Sequence, residues 1–295
     1  MADAPEPEPE ARSAPKGLPP IVDAHVHVFP DRLFAAVQRW FDEHGWRIRY
    51  RMSALDVVRF LLDRGVERVV ALQYAHKPGM ARDLNRFMAE LCEAEPGVTG
   101  LATVFPGEPD AAAILHEAFD AGLAGIKLHC HVQGVAPDDP VLDEIWDACT
   151  AADRVALIHS GREPRSAAYP VDTHLICGAG RVEAVLRAHP RLRLCVPHLG
   201  ADECEAHLRL LERYDNLWLD TTMMLAGYFP IPPPPGLFEA RPDRILYGSD
   251  FPNIPYEWDR ELRWLADAGL SDEDLAGVLG RNALELYRPS TNRAT

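Results

Sequence analysis

The sequence has no C-x-x-C pair, no apolar run approaching the roughly 18 residues that span a bilayer, and fewer basic than acidic side chains. Each shortage excludes something. Cys92, Cys130, Cys149, Cys177, Cys195 and Cys204 are scattered, which suits reduced thiols in a cytoplasm better than a disulfide framework or a zinc knuckle. With 30 Lys and Arg against 45 Asp and Glu, the net charge of -15 argues against nucleic acid or an anionic membrane as a bulk partner. A G-x-G-x-x-G turn is missing after the first apolar run, which weakens the case for a doubly wound open sheet. The opening "MADAPEPEPEARSAPKGLPP" lacks the basic start and apolar middle of a secretory signal. Its Pro and Glu alternation cannot bury apolar surface, so residues 1–19 are expected to form a disordered tail.

What is present suits one large folded domain. The 295 residues are 47% hydrophobic and 25% charged, ordinary for a globular chain that buries a sizeable core. Short apolar runs recur at 21–28, 67–73, 98–104, 124–129, 154–159, 192–198, 216–221 and 244–250. Segments with helix signals separate them. Ser53 precedes an apolar-periodic stretch that stops at Gly65, "DDPVLDEIWDACTAA" opens on Asp and Pro, and two later stretches carry acids in their first turns. The runs are continuous rather than alternating, as in parallel strands covered by helices. Eight strands alternating with helices predict a single-domain (β/α)8 TIM barrel over residues 20–288, followed by a short C-terminal tail at 289–295.

One run carries chemistry. In "IVDAHVHV" a strand places Val22, Ala24, Val26 and Val28 on one face and Asp23, His25 and His27 on the other. Two imidazoles on one face fill a core poorly but suit a metal ion. Barrel chemistry sits at the C-terminal ends of the strands. There the sequence places Lys127 and His129 in the fourth run with His131 just beyond it, His159 at the end of the fifth, His198 at the end of the sixth and Asp250 at the end of the eighth. Gln73, Tyr74 and His76 follow the second, and Asp220, Thr221 and Thr222 the seventh. A single histidine at a strand end is ordinarily a hydrogen-bonded core or surface residue. The set together points to a divalent metal. Imidazole with one carboxylate suits zinc and also manganese, and a catalytic zinc activates water.

The stretches "DAHVHVFP", "GIKLH", "HVQGVAPDDP", "ALIHSG", "VPHLGADE", "LWLDTT" and "ILYGSDFPN" give the chain from about 20 to 288 a resemblance to the amidohydrolase superfamily. It is most similar to the amidohydrolase-related branch containing aminocarboxymuconate-semialdehyde decarboxylase-like proteins. The resemblance implies that His25, His27 and His159 are metal ligands and that Asp250 is both a ligand and the general base. It implies that His198 polarises substrate or holds the attacking water. One ion is expected; a second would require Lys127 to be carbamylated. Otherwise Lys127 is a free ammonium that binds a substrate carboxylate or a neighbouring acid.

Three chemistries stay open on that resemblance: hydrolysis of an amide, lactone or ester, non-oxidative decarboxylation, and metal-independent lactone hydrolysis. "IHSG" and "HLG" look more like the hydrolases, so a metal-dependent hydrolase acting on a small carboxylate-bearing molecule is the main expectation, with decarboxylation as the alternative. An inactive barrel serving as a binding protein is a further alternative, since fold does not establish activity. Arg162 and Arg165 are expected to contact an anionic substrate. Tyr169, His129 and His131 are placed at the same mouth, with His174 near. A small-molecule partner, no membrane contact and a homodimer are expected.

Overall fold

The computed structural model describes residues 10–288. The expected tails at 1–9 and 289–295 lie outside the described residues. Residues 10–19, grouped with the first tail by composition, are anchored to the body. The Trp258 indole donates to the Ala11 carbonyl at 3.0 Å, and Ala14 N donates to Arg64 O at 2.7 Å.

Eight parallel strands appear where the apolar runs predict them. They are β1 (Ile21–His27), β2 (Val66–Leu72), β3 (Val98–Gly100), β4 (Gly125–His129), β5 (Val155–His159), β6 (Arg193–Val196), β7 (Leu217–Asp220) and β8 (Ile245–Leu246). Consecutive strands pair from β1 to β3 and from β4 to β8. Backbone hydrogen bonds complete the ring. Ala102 N donates to Gly125 O and Lys127 N to Ala102 O, joining β3 to β4. Ala24 N donates to Tyr247 O and Asp250 N to His25 O, joining β8 to β1. The barrel is therefore closed, as the sequence predicts.

Helices cover the outside. Ser53 accepts from Asp56 N at the start of Ala54–Leu62, and Ser271 accepts from Asp274 N at the start of Asp272–Ala276, so both serines are true caps. Among the described residues, no helix is long and apolar enough to cross a membrane.

Two apolar clusters follow strand parity. Val22, Val70, Leu101, Val155, Leu157, Cys195, Trp218 and Leu246 pack together, and residues drawn from all around the ring can meet only inside it. Ile126, Leu128, Ala156 and Ile158 pack outward with the helices. On β4 and β5 the inward positions are thus Gly125, Lys127 and His129, beside Val155, Leu157 and His159.

β1 departs from strict alternation. Val22 and Ala24 belong to the interior cluster, whereas Val26 and Val28 pack against the helices. The expected shared face of these four residues is corrected. The cause is a shift of register against β2 between Asp23 and Val26. An extra residue in one strand reverses the phase of everything after it. That reversal puts His25 and His27 on the inner side, above the apolar floor.

Candidate metal centre

Six imidazoles form a continuous chain of ring contacts at the C-terminal mouth. Ring centroids stand 5.1 Å apart for His25 and His27, 5.6 Å for His25 and His198, and 4.8 Å for His198 and His159. His159 continues to His129 at 4.2 Å and His131 at 4.6 Å. Residues separated by more than a hundred positions therefore share one pocket, as the barrel reading requires.

Hydrogen bonds to fixed acceptors set the tautomers. His25 Nδ1 donates to Asp220 Oδ2 at 2.8 Å, which leaves Nε2 as a lone pair. That lone pair faces Asp250 Oδ1 at 3.3 Å, and His27 Nε2 lies 3.2 Å from the same oxygen. Two acceptors facing one another in a dry site repel, and a cation between them turns repulsion into two bonds. Donor atoms of His25, His27 and Asp250 lie within 4.8 Å of one another, and His27 Nδ1 is buried without a partner. These residues fit a divalent ion.

His159, expected as the third nitrogen ligand, stands with its ring 4.8 Å from that of His198, and a donor nitrogen of it also lies within 4.8 Å of donors of His129 and His131. His159 stands opposite His129 in the β4–β5 register, so the two rings lie nearly parallel, at 11°. His198 keeps its expected place. Its Nδ1 donates to the Thr222 carbonyl at 3.0 Å, which presents Nε2 to the site.

Charge balance follows from burial. Burial, reinforced by the Lys127 charge and opposed by Asp220, pushes His25 down to about 4. Burial also lowers His27 and His198, and takes His129 and His159 well below the usual range. Burial alone would raise Asp250, but the imidazoles of His27 and His25 outweigh it and hold the carboxyl below its ordinary range. Lys127 is fully buried with Nζ 3.5 Å from His25 Nε2, and burial pushes it down to about 8 against the pull of Asp220 and Asp250. The expected free ammonium is therefore only weakly held in its charged form.

Two acids that the sequence reading left without a role hold the ligands in place. Asp220 accepts from His25 Nδ1, His198 N and Thr222 N. Asp23 accepts from His25 N and from Ser249 N and Oγ, and burial raises it to about 7. Asp23 was visible beside His25 and Asp220 at the end of the seventh run; what was not legible is which groups each one reaches. Asp220→Asn is expected to weaken metal binding about 10–100-fold, because the amide orients His25 less firmly. Competition against a chromophoric chelator measures this, and unchanged affinity contradicts it.

The metal-free protein should lose stability as pH falls. Folded His25 and His76 are both pushed down to about 4 by burial, from an ordinary 6.5. Between these values the unfolded chain binds protons that the folded chain refuses, so stability falls as pH drops through that window and levels off above it. Asp23 acts oppositely between 3.8 and about 7, since its folded form keeps the proton. The lowered histidines outnumber it. Thermal unfolding of chelator-treated protein checks this; a midpoint flat from pH 6.5 to 4 contradicts it.

Two cavities flank the imidazoles. One of about 340 Å³ is walled by Trp40, Tyr74, His76, Val132 and Tyr169 and borders His129. The other, about 250 Å³, is bordered by His198, Trp46, Met223, Phe229 and Pro230. The start of "FPIPPPPGLF" thus walls a pocket. Tyr169 stacks on Trp40 at 4.9 Å and meets His131 at 5.0 Å, so it stands at the mouth as expected. Arg162 and Arg165 do not present free forks. Arg162 pairs with Asp202 at 2.6 Å and with Glu203, and Arg165 pairs with Asp172 at 2.7 Å. His174 pairs with Glu163 at 2.8 Å. Trp40 and Trp46 carried no signal in the sequence, since aromatic residues near a helix normally pack in a core.

Comparison with known proteins gives the family and the fold. The amidohydrolase family profile matches residues 22–288. No curated protein matches the sequence. Among solved structures, a 5-carboxyvanillate decarboxylase from Novosphingobium aromaticivorans, complexed with manganese and 4-hydroxy-3-methoxy-5-nitrobenzoic acid, is 16% identical with a TM-score of 0.64. The match covers 95% of this chain and 99% of that one. A 2,6-dihydroxybenzoate decarboxylase complexed with 2,6-dihydroxybenzoate is 17% identical with a TM-score of 0.67, covering 92% and 99% of the two chains. An amidohydrolase from Burkholderia multivorans with bound HEPES is 18% identical with a TM-score of 0.66, covering 91% and 99%. These likenesses share the barrel. With the profile spanning nearly all of that barrel, the chain belongs to the amidohydrolase family of metal-dependent enzymes.

Proposed function

We propose that the protein is a metal-dependent lyase that removes carbon dioxide from a small planar carboxylic acid. The observation that carries this reading is the cavity of about 340 Å³ beside His129, whose lining includes the aromatic rings of Trp40, Tyr74 and Tyr169. Such a lining suits a planar ring. Because Arg162 and Arg165 are paired with acids, the substrate carboxylate is left to the metal centre rather than to an arginine fork. Barrels of the same shape include decarboxylases of hydroxylated benzoates, one of them with manganese. Zinc and manganese both suit a set of imidazoles and one carboxylate.

His25, His27 and Asp250 would hold a divalent ion, which when bound would supply positive charge toward the oxygens of the substrate. The chain's own groups do the rest. When the carbon–carboxylate bond breaks, its electron pair stays on the ring carbon and takes up a proton as carbon dioxide leaves. His198 is placed to deliver that proton from Nε2, because Nδ1 is committed to the Thr222 carbonyl. Burial disfavours its charged form, so a protonated His198 is a ready acid. Asp220 holds the His198 backbone by accepting from its N.

Hydrolysis is the second reading, favoured by one observation. Asp250 is held ionised and His198 neutral, and both are then proton acceptors of the kind that water attack needs. Protein loaded with manganese or with zinc and offered hydroxylated benzoates, unsaturated acids, lactones and amides distinguishes the two. Carbon dioxide release from an aromatic acid is the expected result. Acid release from lactones or amides alone moves the assignment to hydrolysis.

A further inference from the structure

Two of the six cysteines meet beside the barrel mouth. Cys130 opens the short helix Cys130–Gln133 directly after β4, and Cys177 caps the end of the short helix Thr173–Ile176. Their thiols lie in hydrogen-bond contact, and the His131 imidazole reaches Cys177 as well. Both cysteines are free. The other four have different surroundings. Cys204 donates to Ala201 O at 2.6 Å, Cys195 lies against Tyr287, and Cys92 and Cys149 are governed by burial.

The pair differs from an inert core thiol. His131 Nε2 donates to the Gly161 carbonyl at 2.7 Å, so its Nδ1 carries a lone pair. Apart from Cys177, that buried nitrogen has no partner among the described residues. The Cys130 thiol, helped by His131, holds Cys177 below the ordinary thiol range against burial, while burial lifts Cys130 well above it. Thiols of the first kind are the ones oxidants attack, and a neighbouring thiol can resolve the product. Cys177 is 6% exposed and Cys130 0%, so a small oxidant meets Cys177 first.

We propose that Cys177 and Cys130 form a peroxide-responsive pair, in which Cys177 reacts first and Cys130 closes a disulfide beside the mouth. The Cys177 sulfur attacks one peroxide oxygen, the O–O bond breaks, and the other oxygen leaves as water with the thiol proton. The Cys130 sulfur then attacks the sulfenic acid on Cys177. The S–O bond breaks, and a second water carries off the hydroxyl and the Cys130 proton. One peroxide is thus reduced to two waters while two thiols are oxidised to one disulfide. Gly178 N donates to Ser160 O at 3.0 Å, so residues 160–178 form a loop with joined ends, and this loop carries Tyr169 of the cavity lining. The disulfide ties the base of that loop to the end of β4, and thiol reductants reverse it by exchange. The proposal depends on neither the reaction assigned above nor the metal centre.

The test is thiol counting and peptide mapping on the zinc-loaded full chain, zinc being redox-inert. After brief treatment with hydrogen peroxide and removal of the oxidant, thiols titrated in denaturant are expected to fall from six to four. Dithiothreitol should restore all six. Peptide mass mapping should join Cys130 to Cys177, and Cys149→Ala should still form that bond. Cys130→Ala is expected to leave a sulfenic acid on Cys177 that dimedone labels, whereas Cys177→Ala leaves Cys130 unlabelled. Far-ultraviolet circular dichroism reports the folding of each variant. Six thiols in the treated wild type overturn the proposal, as does a disulfide that omits either residue. Dimedone labelling of Cys130 in folded Cys177→Ala also overturns it.

Discussion

Asp250→Asn is expected to lose tight metal binding and to lower turnover by about 10³-fold. Asp250 Oδ1 stands within 3.3 Å of both His25 Nε2 and His27 Nε2, so one atom closes the ligand set. An amide keeps the shape but removes the negative charge that offsets a divalent ion. The backbone tolerates the change. Asp250 sits at φ 68°, a left-handed conformation that Asn and Asp adopt more readily than other side chains. Its main chain keeps the bonds that place β8 against β1, from Asp250 N to His25 O and from Asn253 N to Asp250 O. Folding should thus survive while metal content and rate fall together. Metal analysis and steady-state kinetics check this; a variant with full metal occupancy and turnover within tenfold of wild type contradicts it.

Gly248→Ala is expected to damage both stability and the site, although it adds only a methyl group. A Cβ at Gly248 would lie 2.4 Å from Thr222 Oγ1 and 2.8 Å from His25 Cβ. The threonine hydroxyl is the end of a short side chain, but His25 Cβ is fixed to β1. Something in the ring must move. Overpacking of this kind costs about 1–3 kcal/mol, and here the displaced residue is a metal ligand. The melting temperature of the metal-free protein and its metal affinity should both drop. Gly180→Ala is the control: a Cβ there meets nothing within 4 Å, and a helical Gly exchanged for Ala gains up to about 1 kcal/mol. Equal melting temperatures for the two variants would show that the close approach of β8 to His25 carries no weight.

The barrel was legible because eight apolar runs and their intervening caps state the same pattern. Even the closing contacts were implicit in the strand count. Strand-end positions also exposed His25, His27, His198 and Asp250, since barrel geometry assigns them a common mouth. Three features were not legible, each for a physical reason. The register shift in β1 depends on pairing with β2, so "IVDAHVHV" gives no sign that Val26 turns outward while Ala24 stays inside. The partners of Arg162 and Arg165 come from the chain at Asp202, Glu203 and Asp172, and a sequence does not say which acids a loop arginine meets. The placement of His159 beside His129 follows from the β4–β5 register, which sequence spacing leaves unspecified. Asp23 and Asp220 were noticed at strand positions, but their role rests on hydrogen bonds between residues about 200 positions apart.

The central claim is that residues from opposite ends of the chain jointly grip a cation at the barrel mouth. Anomalous X-ray scattering from a crystal of zinc- or manganese-loaded protein addresses it directly. The account predicts a peak bonded at about 2.0–2.2 Å to His25 Nε2, a His27 nitrogen and an Asp250 oxygen. A loaded crystal whose anomalous peaks all lie on exposed surface groups, with these three side chains bonded only to one another, would contradict it.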